Sequence, residues 1–332
     1  MNKAAFLPTF FIIIYLLSAI KPAYCQDNEQ NNEQNREYGF SIGTGFGVAY
    51  GQAQEAVYPI PGDTKGELLS ELIWEMKPVC YLGFFADFGL IDLLNKPGFF
   101  TSLALKTGFQ GTSGKMEDRD WLSIENGNLT HFSSHTNETN EYITIDLAVG
   151  ASLPIKYLYI KPFISGSWMH FIFTARDGYI KYSHETYPGS GIYEPIEDAQ
   201  VKPIVGKVVS YQQDWLLAAI GFSIGTNILA PFSFDLSFQI TPLTYCQSID
   251  NHFWGNIFRD FTSLGLFIEP KGSFSIAVNN FNFLLDVSYR YISKTIGDSY
   301  ISSNNTLYSL SQNKAGAGLS LWNFQLIVKI NL

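Results

Sequence analysis

Asp250 and His252 stand two residues apart in TPLTYCQSIDNHFWGNIFRD, residues 241–260, where a run alternating apolar and polar residues ends. In a strand, that spacing puts both side chains on one face. An aspartate there can orient the imidazole and stabilise its protonated form, which makes the pair a general-base unit. Far upstream, MEDRDW at 116–121 repeats the spacing with two acids, Asp118 and Asp120. Taken singly, D-x-H and D-x-D are common in solvated loops, so their significance depends on whether the rest of the chain brings the two pairs together.

The elements that would do so are strands. Aromatic residues make up 16% of the 332-residue chain and charged residues 15%, with 28 glycines. Mean hydropathy is only +0.04, far below that of a helical membrane protein, and after the first 25 residues no apolar run reaches about 20 residues. Strands apolar on one face and polar on the other account for both facts. The net charge of -9 argues against nucleic acid as a partner.

Residues 1–25 read as a secretory signal: Lys3, an apolar core from Phe6 to Ile20, and a cleavage site at Ala23-Tyr24-Cys25 before Gln26. Acylation at Cys25 is the rival reading, disfavoured by Tyr24 where a small residue is wanted. Residues 26–36, rich in Asn, Gln and Glu, form a polar lead-in. Cys80 and Cys246 are too few for a disulfide framework; they read as separate strand residues, with a single bridge between them as the alternative.

From residue 37 onward the period is two. Phe232, Phe234, Leu236, Phe238 and Ile240 alternate with small or polar residues, as do Phe281, Phe283, Leu285 and Val287, and then Trp322, Phe324, Leu326, Val328 and Ile330. A soluble sandwich can alternate in the same way; the connections distinguish the two. Short turns are expected at Asn95-Lys96-Pro97-Gly98, Pro154-Ile155, Ala230-Pro231 and Asn279-Asn280, and long loops at roughly 59–66, 112–140, 177–205, 251–262 and 294–313. Short and long connections at opposite ends predict one domain, 37–332. Its fold class is all-β, a ten-stranded antiparallel transmembrane β-barrel with short periplasmic turns and long extracellular loops. The third strand, ending near Gly111, then delivers Asp118 and Asp120 just past the outer rim, and the seventh delivers Asp250 and His252 to the same end.

With these segments in place the sequence resembles the omptins, ten-stranded outer-membrane endoproteases of Gram-negative bacteria. MEDRDW resembles the segment bearing that family's aspartate couple, and Asp250-Asn251-His252 its Asp-x-His dyad. Further likeness lies in SIGTGFG at 41–47 with QEAVY at 54–58, LSELIWEM at 69–76, FTARDG at 173–178 and GAGLSLWNF at 316–324. The resemblance implies an aspartic-type endopeptidase. His252, oriented by Asp250, would deprotonate a water held by Asp118 and Asp120, with no covalent intermediate and no metal. It also implies peptide or protein substrates, an outer-membrane lipid environment, a monomer, and a site on the cell exterior.

The departures from the family fall at specificity positions. Glu55 stands where one acid receiving a basic substrate side chain is expected, but Ser248 replaces the second. His131 replaces an acid that helps bind the residue after the cut bond. A weakened or shifted preference for basic residues is therefore expected. The stretch Gly166 to His170 lacks the Glu and Arg of the family's lipopolysaccharide site, so no cofactor is expected and a lipopolysaccharide requirement is doubtful. His131 and His135 have metal-compatible spacing only on a helix, for which their surroundings are poor. Arg176 is expected in an ion pair at the rim. No G-x-S-x-G elbow or cysteine nucleophile constellation occurs. The alternative function is a non-catalytic outer-membrane adhesin or receptor retaining an ancestral site; a porin is disfavoured because side chains largely fill a ten-stranded barrel.

Overall fold

The structure, a computed structural model, describes residues 38–59, 68–90, 97–124, 127–226, 231–253, 255–303 and 306–332. The signal segment, the lead-in, most of the loop expected at 59–66, and part of the turns expected at 95–98 and 230–231 lie outside the described residues. Alternation produces fourteen strand segments: β1 (Tyr38–Val57), β2 (Ser70–Leu90), β3 (Gly98–Gly108), β4 (Gly111–Asp120), β5 (His131–Ile155), β6 (Leu158–Tyr182), β7 (Val201–Thr226), β8 (Phe232–Thr241), β9 (Thr244–His252), β10 (Ile257–Ser263), β11 (Phe267–Val278), β12 (Phe281–Ile292), β13 (Ile296–Ser303) and β14 (Thr306–Asn331).

These make ten staves. β3 and β4 are the two halves of one interrupted strand, as are β8 with β9, β10 with β11, and β12 with β13. At the short-turn end the antiparallel order is β1-β2-β3-β5-β6-β7-β8-β11-β12-β14, and β14 pairs back onto β1 from Ser41↔Asn331 to Val57↔Ala315. At the other end β4 lies between β2 and β5, and β9, β10 and β13 complete the wall between β7 and β14. Among the described residues closure leaves no strand edge unpaired within the wall at the short-turn end, which is what a spanning sheet requires.

Two sequence expectations need correcting. The turn expected at Pro154-Ile155 falls two residues later: both residues pair within the β5–β6 hairpin, and the chain reverses at Lys156 and Tyr157, with Lys156 at φ 51°. The turn at Asn279-Asn280 is as expected, with Asn279 at φ 54°; both fit the positive φ that tight hairpins demand. Much of the chain expected as long loop is also strand instead. Residues 112–140 are chiefly the β4–β5 hairpin, β6 runs on to Tyr182, β7 begins at Val201, and 294–313 contains β13 and the start of β14. The alternation fades there because neither face of the strand meets lipid: the outer face meets water and the inner face a polar cleft.

Around the short-turn end the outward side chains are apolar and exposed, among them Phe46, Phe84, Leu105, Ile164, Ile220, Leu236, Phe283 and Leu326. They form a belt about ten residues deep on each stave, the depth a tilted spanning strand needs. Inside the belt, opposite charges neutralise one another. Arg290 Nη2 lies 3.1 Å from Asp146 and 2.8 Å from Glu269, Lys271 pairs with Asp286 at 2.7 Å, and Lys329 with Asp87 at 2.5 Å. Above this network lies a fully buried aromatic layer. Trp74 stacks on Tyr211 (ring centroids 5.4 Å apart) and on Phe173 (5.8 Å), and Tyr142 packs 5.2 Å from Phe171. That apolar floor separates the charged lumen from the cleft above it.

Candidate active site

β9 runs antiparallel to β7 and β10, with Asp250 opposite Tyr211 on one side and Phe258 on the other. Because side chains alternate, Ser248 and Asp250 both face inward and are buried, and His252 follows them at the strand's end, partly exposed. The β9–β10 turn is short and closed by the Gly255 amide donating to the His252 carbonyl at 2.9 Å. Asp250 and His252 meet directly, His252 Nε2 lying 2.6 Å from Asp250 Oδ2. The His252 ring also sits edge-on to Phe258, centroids 5.7 Å apart.

The other pair is on β4, not on a loop past the rim. Asp118 lies opposite Leu72 and Asp120 opposite Ser70 on β2, and the Ser70 hydroxyl donates to Asp118 Oδ1 at 3.3 Å. Between and beside them Glu117 and Arg119 pair with each other, and Arg119 also approaches Glu71 to 3.9 Å. That outer-face pairing fixes which way the strand presents its two aspartates.

Asp118, Asp120, Asp250, His252 and Glu55 all line one cavity of about 370 Å³. Four of the five residues singled out there are acids, and confinement makes their charges costly. Burial pushes Glu55 well above the usual carboxylate range, and the charges of Asp250, Asp260 and Asp118 add to the rise. Burial, then the neighbouring Asp120, does the same to Asp118; Asp120 is raised by burial and eased by Ser70. Asp250 is raised by burial, held back by its bond to His252. Burial opposes charge on His252, but the Asp250 hydrogen bond and the charges of Asp250, Asp118 and Asp120 outweigh it, so its pKa rises. The arrangement can therefore hold an imidazole base opposite a carboxyl couple that retains a proton.

The two remaining sequence candidates stand next to the cavity. Ser248 donates a long 3.4 Å hydrogen bond to Asp260 Oδ2. His131 lies opposite Asp120 on β5, its ring 4.6 Å from Tyr182 and 5.4 Å from Tyr193, and burial lowers its pKa. His135 turns away to the Asp177 carbonyl at 2.5 Å. No group of three potential metal ligands occurs among the described residues. Arg176 bonds Glu138 at 3.2 Å and Asp177 at 3.1 Å, the rim pairing expected of it. Cys80 and Cys246 are both free thiols. Asp260, Ser70, Tyr182, Ser299 and Lys314 line the same cavity but were not singled out from sequence. Asp260 could have been found by treating 251–262 as a hairpin, since that register puts it opposite Ser248.

Fold and cleft together define a closed ten-stranded β-barrel with an Asp–His pair and an Asp–Asp pair in one cavity at the end away from its short turns. The profile of the omptin family matches residues 36–331, and the chain belongs to that family. Among solved structures, the outer membrane protease OmpT from Escherichia coli superposes with a TM-score of 0.76 at 18% identity, covering 91% of this chain and 100% of that one. At that identity the likeness is one of fold. The toluene transporter TodX of Pseudomonas putida (TM-score 0.29, 9% identity, 89% and 90% covered) and the transport unit of the autotransporter AIDA-I of Escherichia coli (0.32, 9%, 91% and 93%) are far more distant. Comparison with curated proteins found no match.

Proposed function

We propose that this protein is an outer-membrane endopeptidase of aspartic type whose cleft faces the cell exterior. The observation that carries the reading is the 2.6 Å Asp250–His252 bond in the same cavity as the Asp118–Asp120 couple. Because His252 Nε2 is committed to donating to Asp250, Nδ1 keeps the lone pair and is the base. It removes a proton from water as the water oxygen attacks the substrate carbonyl carbon. The carbonyl oxygen becomes an oxyanion, and the proton retained by the Asp118–Asp120 couple donates a hydrogen bond to it. The C–N bond then breaks, and the proton on His252 passes to the leaving nitrogen. The apolar belt supports placement in the outer membrane, and the wall that extends past the belt at the cleft end, with the long β6–β7 connection at 183–200, supports its outward orientation.

On the His131 side, a largely neutral imidazole among tyrosines removes the electrostatic attraction an acid would give, so the preference there shifts away from basic residues. The lipopolysaccharide requirement is also absent in this reading. His170 lies between Asp214 at 2.6 Å and Glu141 at 3.3 Å, and two carboxylates repel a phosphorylated headgroup. The test is a diverse peptide library presented to the wild type and to His252→Ala, both folded in outer membranes. Cleavage that disappears in the variant supports the reading. Equal cleavage by both refutes the dyad, and no cleavage by either leaves the chain a binding barrel.

A further inference from the structure

Among the described residues, two acids in the cleft have no counter-charge. Glu55 on β1 and Asp260 on β10 are 3% and 4% exposed, and both line the cavity of the Asp–His pair. Glu55 Oε2 and Asp260 Oδ1 have no hydrogen-bond partner among the described residues. Lys314 lines the same cavity, but no ion pair joins it to either acid among the described residues. Leaving two carboxyl groups buried and unpaired is unfavourable, and it persists where a guest supplies the missing charge.

The position of that guest follows from the register. Asp260 lies directly across from Ser248 on β9 and from Ser299 on β13. Both neighbours are small, which leaves room for the Asp260 carboxyl to project inward between them. Ser248 is two residues before Asp250 on the same strand face, so the acid-lined end of the cavity is about 7 Å from the dyad. A side chain seated there belongs to a residue flanking the bond placed at His252. Burial pushes Asp260 up to about 6, with the charge of Asp250 adding and the hydroxyls of Ser299 and Ser248 offsetting. An arriving cation reverses that penalty.

We propose that Asp260, acting with Glu55, forms the subsite that receives a lysine or arginine side chain of the substrate, with Ser248 serving to make room for it. The assignment rests on the endopeptidase reading. The acid absent at position 248 is thus replaced from the facing strand, and the chain keeps two acids in this pocket.

The test compares two peptides identical but for arginine or its uncharged isostere citrulline beside the cut bond. The full chain is assayed in outer membranes of a protease-deficient Gram-negative host. The wild type is expected to prefer the arginine peptide in kcat/KM by a factor of ten or more. Asp260→Asn should cut the arginine-to-citrulline ratio at least tenfold, and the exchange S248D/D260S should recover most of it by returning an acid to the same space. An unchanged ratio in Asp260→Asn, with both peptides still cut, overturns the assignment while leaving the peptidase standing. Failure of S248D/D260S to raise the ratio above that of Asp260→Asn overturns it as well. A wild type that cuts neither peptide overturns the peptidase reading and this assignment with it.

Discussion

Asp250→Asn isolates the electrostatic part of the proposed base. Asparagine preserves the shape of a side chain that is buried between Tyr211 and Phe258, so the barrel should fold unchanged. Two effects follow at the 2.6 Å contact. The lost charge lowers the His252 pKa, and an amide that donates to Nε2 would move the ring proton to Nδ1, where the lone pair is needed. An opposite charge at contact is worth about 1–3 pKa units. The His252 side chain is 42% exposed, so solvent screening points to the lower part, about 1–2 units or ~1.4–3 kcal/mol. With the tautomer also wrong, kcat should fall by about a hundredfold to ten-thousandfold. The sign of the pH effect is fixed: His252 must be neutral to act, and its pKa is raised in the wild type. Activity should thus climb as pH rises through that value, and the climb should move to lower pH in the variant. pH–rate profiles of kcat and of kcat/KM on a fluorogenic peptide read the two quantities. A variant within about threefold of the wild type and with an unmoved acidic limb would refute the dyad.

Four further outcomes are expected. Asp260 has a folded pKa of about 6, above its unfolded value, so its ionisation opposes folding as pH rises from about 4 through 6. Asp260→Asn should therefore gain up to ~3 kcal/mol at pH 8 and nothing at pH 3 in urea titrations; an equal gain at both would exclude a charge effect. Arg290→Met would strand Asp146 and Glu269 inside the barrel, at a cost of about 3–5 kcal/mol, read as a lower unfolding midpoint. Trp74→Ala would open a hole in the aromatic layer and cost about 3–5 kcal/mol in the same assay; a loss under 1 kcal/mol would mean that the layer does not bear on stability. Adding lipopolysaccharide to purified, refolded protein should leave its rate within about twofold, and a stimulation above tenfold would show that His170, Asp214 and Glu141 do not repel it.

The sequence showed most clearly what lipid and closure enforce. Alternation in Phe232 to Ile240 or Trp322 to Ile330 is strict because the outer face meets hydrocarbon, so the embedded staves could be read directly. It failed for 112–140 and 294–313, where water on one side and a polar cleft on the other remove the contrast that marks a strand. Asp118 and Asp120 were recognisable by spacing and by resemblance, although they sit within β4 rather than beyond it. Asp260 escaped because its neighbour in space, Ser248, is twelve positions away in sequence, and only the register of a hairpin unites them. The charge-balanced lumen escaped for the same reason: Arg290, Asp146 and Glu269 come from β12, β5 and β11.

Four staves are broken between their lower and upper halves, and the breaks are not scattered. Asp118 and Asp120 ride on β4, Asp250 and His252 on β9, and Asp260 on β10, each separated from its embedded continuation by a gap such as 109–110, 242–243 or 264–266. Of the described acids lining the cleft, only Glu55 stands on an uninterrupted stave. The ladder is thinned rather than severed there, since the Phe109 amide still donates to the Cys80 carbonyl at 2.8 Å and the Leu264 amide to the Thr244 carbonyl at 3.0 Å. What a break changes is which positions face inward: Asp235 and Gln239 on β8 line the lumen at odd positions, whereas Asp250 on β9 lines the cleft at an even one. That offset of one residue lets a single stave present one alternation to the lipid and another to the cleft.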